Sequence, residues 1–133
     1  MIIKIAPDIE KAKSLLQMAQ DRESFINSVN FDKFLTGKIE SYYEVIKELA
    51  TALALTEGVK AEGEGAHKEL IDFLFENKFI TEYELGFIQD LRVKRNKSFY
   101  ERKQINLSYL ESRESTILQI ISKLKSILKE KLR

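Results

Sequence analysis

The stretch "IESYYEVIKELATALALTEG", residues 39–58, decides the fold. Ile39, Tyr42, Tyr43, Ile46, Leu49, Ala50 and Leu53 recur at the spacing that places side chains on one face of an α-helix. From Leu49 to Leu55 almost every residue is apolar, so this half of the helix must be covered all round and belongs at the centre of the molecule. Gly58 is placed to end the helix, because glycine best tolerates the left-handed conformation past a helix C-terminus.

The flanking sequence supplies the cover. Pro7 and Asp8 open a first helix that carries Ile9, Ala12, Leu15, Leu16 and Ala19 at helical spacing and runs to about Ser28, with a weak point near Asp21–Ser24. "VNFDKFLTG", 29–37, reads as a connection with Gly37 as its breaker. After the polar "GVKAEGEG", a short third helix turns Ala66, Leu70, Phe73 and Leu74 inward and ends near Asn77. Thr81-Glu82-Tyr83-Glu84 has the form of a capping box, so a fourth helix runs from Thr81 to about Phe99. The last helix spans about Leu107 to Leu132. Its Leu110, Ile117, Ile121, Leu124 and Leu128 lie near a seven-residue rhythm that Glu114 interrupts. That rhythm suits packing along a helix of the same molecule or of a second one. The expected architecture is all-α, an up-and-down bundle of about five helices in a single domain, 1–133.

Composition agrees. With one proline and five glycines in 133 residues, the chain has little material for the tight turns of an all-β fold. It has no cysteine, which excludes disulfides, thiolate metal sites and cysteine nucleophiles and fits a reducing cytoplasm. "MIIKIAPDIE" has too short an apolar run for a signal peptide, and no apolar window approaches the length of a bilayer span. A soluble, cytoplasmic protein with no membrane partner is expected.

Charge is distributed less evenly. "LRVKRNKSFYERK", residues 91–103, sets Arg92, Lys94, Arg95, Lys97, Arg102 and Lys103 against one acid, Glu101, in a chain whose net charge is only +1. On a wheel of about 100° per residue, Arg95 lies roughly 20° from Ile88, between Leu91 and Phe99, with Arg92 close by. A guanidinium on an apolar stripe needs a carboxylate, carbonyls, a phosphate or a second subunit. The bland account is a solvated helix end, where cations interact well with the helix dipole. The sharper account is a recess in which Arg92, Arg95 and Asn96 hold a phosphate while Phe99 and Tyr100 flank a base.

Arg95-Asn96-Lys97-Ser98-Phe99-Tyr100, following "YYEVIKELATALALTEGVKAEGEGAHKELIDFLFENKFIT" and preceding a long last helix, resembles the HEPN domain family. The likeness covers residues 39–105 and, in helix order, the whole chain. Members are small helical bundles with an Arg, a polar residue, three variable residues and a His. Tyr100 stands where that His should be. The resemblance implies an HEPN-like fold and a homodimer whose two copies line one cleft for RNA or a nucleotide. It also implies a possible companion, a small nucleotidyltransferase in a toxin–antitoxin-like pair. By the same resemblance Arg95 would bind the scissile phosphate and Asn96 would orient it. A phenol, with a reference pKa of about 10, is a poor base at neutral pH, so ribonuclease activity is expected to be reduced or absent. Arg95, Asn96 and Tyr100 are the candidates for any catalysis that remains. Arg92, Arg95, Asn96, Phe99 and Tyr100 are the candidates for binding.

His67, in "EGEGAHKEL", is the chain's one histidine. It would replace the missing base only if the loop before the third helix faced Arg95; the bland account is a local hydrogen-bonding group at a helix start. Glu64 and His67 form a Glu-x-x-His, but di-iron bundles need that element twice, and a second copy cannot exist here. No metal site and no cofactor is expected, and there is no phosphate-cradling glycine loop, dinucleotide fingerprint or nucleophile elbow. Two alternatives stand beside the HEPN-like binding module. One is a non-catalytic protein–protein interaction module that docks through the last helix. The other is an active metal-independent ribonuclease using Tyr100 or His67.

Overall fold

The computed structural model describes residues 1–98, the backbone of 99 and 100, residue 101, and residues 104–133. Five helices form an all-α bundle: α1 (Ile9–Ser28), α2 (Leu35–Thr56), α3 (Ala66–Glu76), α4 (Glu82–Glu101) and α5 (Leu107–Lys131). α2 is the hub, touching each of the other four. Ile39, Val45, Ile46, Leu49, Ala50, Ala52 and Leu53 are fully buried, as the continuous apolar run requires.

α1 packs most extensively on α2 through two alanines with no exposed surface, Ala12 and Ala19, whose small side chains let the helices approach closely. Asp8 caps it by accepting from the Lys11 amide at 3.0 Å. The charged segment 21–24 does not break this helix. Arg22 bonds Glu48 on α2 at 2.7 Å and Glu23 bonds Lys125 on α5 at 2.8 Å, so these charges tie α1 to its neighbours.

α2 begins earlier than the sequence suggests, and Thr36 and Gly37 lie inside it. Gly37 is a packing requirement rather than a breaker, because a β-carbon there would come within 2.5 Å of the Phe34 ring. Thr36 accepts from the Ile105 amide at 2.8 Å and donates to Gln104 at 2.9 Å, anchoring the segment that leads into α5. At the other end Gly58 takes φ +72° as expected. A side chain there would also strike the Ile5 carbonyl at 2.9 Å.

Two short strands were not legible in the sequence. β1 (Ile2–Lys4) pairs antiparallel with β2 (Val59–Ala61), in the register Ile2 to Ala61 and Lys4 to Val59. Three residues are too few for an alternating pattern to show. The ribbon ties the start of the chain to the loop before α3.

The capping box at α4 forms in both directions: Thr81 N donates to Glu84 at 2.8 Å, and Glu84 N donates to Thr81 Oγ1 at 3.1 Å. α5 buries Leu110, Ile117, Ile121, Leu124 and Leu128, the residues of its rhythm. The interrupting Glu114 accepts from the Tyr42 hydroxyl at 2.6 Å and pairs with Lys38 at 3.0 Å. Among the described residues, no helix is long and apolar enough to cross a membrane.

Candidate anion-binding site

Ile88 and Leu91 are buried and fix the inward face of α4. One turn later that face carries Arg95, with most of its side chain covered. The guanidinium finds its partner on α2: Nη2 lies 3.1 Å from Glu44 Oε1, and the group sits 5.0 Å above the Tyr43 ring. Glu44 Oε2 also holds Lys47, at 3.2 Å. A carboxylate of the same chain thus answers the demand that an arginine on an apolar stripe creates, and Arg95 needs no phosphate to sit where it does. Tyr43 is buried beneath it. Burial pushes the Tyr43 phenol up to about 12, against the opposing pull of Arg95 and Arg92.

Arg92 is held differently. Its Nε donates to Gln89 at 2.9 Å, and Gln89 in turn reaches Asp72 of α3 at 3.0 Å. The relay fixes the side chain without neutralising it, and Arg92 has no ion pair among the described residues. Beside it, the Asn96 amide is half-buried and makes no hydrogen bond among the described residues.

Facing them is the N-terminus of α3. Gly65, in the left-handed conformation at φ +77°, caps that helix, and Gly63 and Gly65 flank Glu64 in the turn. His67 follows in the first turn. A recess of about 240 Å³ is lined by Gly63, Gly65, His67, Lys68, Arg92 and Asn96. The loop before α3 therefore faces Arg92 and Asn96 rather than Arg95, the residue on which a role for His67 was expected to depend. The loss of solvent around His67 lowers its pKa below the usual histidine value, and the positive charges of Lys47, Arg95 and Arg92 lower it further against the pull of Glu44. These surroundings favour the neutral imidazole.

The basic stretch is not one patch. Arg92, Arg95 and Asn96 turn toward α2 and α3, whereas Lys94 lies 5.2 Å over the Tyr109 ring of α5. Arg113 lies 3.9 Å above that ring as well. Lys94 and Lys97 line a separate recess of about 230 Å³ with Glu101 and Gln104. Phe99 and Tyr100, expected to flank a base, and Arg102 and Lys103 lie outside the described side chains. Sequence reasoning missed Glu44 and Lys47 as neighbours of the site. The available signal was their position one turn apart on α2, beside Tyr43.

A larger surface groove, about 760 Å³, is elsewhere and is lined by α5 alone, so it is one face of a helix rather than an enclosed site. Among the described residues no group of three metal-ligating side chains converges. No protein-family model, curated protein or solved structure matches this chain.

Proposed function

We propose that this chain is an HEPN-like helical module that binds RNA or a nucleotide by its phosphate at the recess between α3 and α4, acting as a homodimer with ribonuclease activity reduced or absent. One observation carries the reading: the chain's only imidazole and the Arg92–Asn96 pair, from different helices, line the same recess. Arg92 offers an unneutralised fork of donors and Asn96 an unengaged amide. The first turn of α3 adds backbone donors and the positive end of a helix dipole. Arg95 and Lys47 share one carboxylate, Glu44, and Arg92 has no ion pair among the described residues, which leaves a surplus of positive charge to attract an anion.

Arg95 contributes to that field from behind Glu44, so Arg92 is the expected direct phosphate ligand. The HEPN resemblance supports a dimer and a nucleotidyltransferase companion, and Tyr100 in place of the signature His supports weak or absent cleavage. A neutral His67 could accept a proton, and cleavage that depends on it would move the chain into the active-ribonuclease class.

The test is a titration of labelled single-stranded RNA with wild type, Arg92→Ala and Arg95→Ala, with the RNA checked for cleavage. The proposal expects salt-sensitive binding of intact RNA, weakened most by Arg92→Ala. Absence of binding by the wild type overturns it. That result would favour an interaction module using the outward face of α5, where Leu118 is 47% exposed within the large groove.

A further inference from the structure

His67 stands between two recesses. A second cavity of about 330 Å³, which also has His67 in its lining, is lined by Lys11 of α1, Lys47 of α2 and Lys60 of β2, over an apolar floor that includes Leu55 and Leu70. One carboxylate, Glu62, shares that lining and pairs with Lys60 at 2.5 Å. Lys47 shares Glu44 with Arg95. Lys11 has no ion pair among the described residues.

We infer that this lysine recess is a second anionic subsite, taking the next phosphate of an RNA strand whose first phosphate rests on Arg92 and Asn96. The inference rests on the proposed function and names its ligand as a strand rather than a single nucleotide. Lys47 and Lys60 each have a carboxylate partner, so the charge without an ion pair among the described residues is that of Lys11, and the apolar floor strengthens its attraction for an anion. The β1–β2 ribbon, which has little core to bury, is what presents Lys60 there, opposite Ile3 in the register. Because Ala66 and His67 line both cavities, a strand leaving the first enters the second directly over the imidazole.

The experiment measures anisotropy of a labelled oligouridine of about twelve nucleotides as salt rises from about 50 to 200 mM. Wild type is compared with Lys11→Gln/Lys60→Gln, with Arg92→Gln, and with Lys33→Gln/Lys129→Gln, which removes two lysines that line neither recess. Circular dichroism establishes that each variant is folded. Each phosphate left without its neutralising lysines lowers the salt slope by about 0.7, so the Lys11/Lys60 variant, which affects one phosphate, should lose roughly 0.7 of slope and bind about tenfold more weakly. The control pair should bind nearly as wild type does. If the Lys11/Lys60 variant only matches the control while Arg92→Gln weakens binding, the second subsite is overturned and the proposed function stands. If the Lys11/Lys60 variant weakens binding and Arg92→Gln does not, the strand path from Arg92 is overturned. If wild type does not bind, both readings fall.

Discussion

α2 carries two carboxylates one turn apart, each holding an arginine, and they behave as different objects. Glu48 is 5% exposed and bonded to Arg22 at 2.7 Å, and its second oxygen, Oε2, is buried with no hydrogen-bond partner among the described residues. Glu44 is 24% exposed, divides its oxygens between Arg95 and Lys47, and lies near enough for its charge to act on His67. The chemistry is the same and the burial differs. The buried Glu48 carboxylate fixes one helix against another and is closed to a ligand, although its partner Arg22 reaches solvent. A pair at the rim satisfies its arginine and still lets the surplus charge act outward.

The comparison breaks first if Arg22 proves dispensable. Arg22→Ala leaves the Glu48 carboxylate buried without its partner, which costs about 3 kcal/mol or more of stability, the low end applying because Arg22 reaches solvent. Urea denaturation checks this. Arg22→Leu with Glu48→Gln should recover much of the loss, since the buried charge is then gone. Next in size is Tyr42→Phe, which removes the hydroxyl donated to Glu114 at 2.6 Å. About 1–2 kcal/mol should be lost for a bond to a charged acceptor. Smaller again is Arg95→Ala, expected to cost about 1 kcal/mol or less in stability, since it removes only a rim pair and a cation–π interaction. A loss for Arg95→Ala equal to that for Arg22→Ala would erase the distinction between the two pairs.

The helical core was legible because α2 announces itself: a run with no polar face can only be central. The capping box at Thr81 and the stop at Gly58 were legible because each is a local rule. Gly37 was misread because its reason is the Phe34 ring, a packing constraint no local rule contains. The strands were missed because three residues carry no period. The site was half legible. Arg92, Arg95 and Asn96 could be placed on one side of α4 by the wheel, but Glu44, Lys47 and the lysines at 11 and 60 are tertiary neighbours. The same wheel could not show that Lys94 would leave the patch to stack on Tyr109.

His67 tests the central claim most directly, because it is the only histidine and gives one imidazole signal in an NMR pH titration of the untagged chain. In the free protein its pKa should lie below the ordinary value of about 6.5, held down by lost solvent and by Lys47, Arg95 and Arg92 against Glu44. Because the fold favours the neutral ring, the stability it contributes is complete above that value and is lost as pH falls through the lowered pKa. A phosphodiester seated on Arg92 and Asn96 adds negative charge beside the ring, so saturation with oligouridine should raise the pKa, and RNA should bind more tightly as pH falls. An unchanged pKa in the presence of bound RNA would contradict the account, because the strand would then lie elsewhere on the molecule.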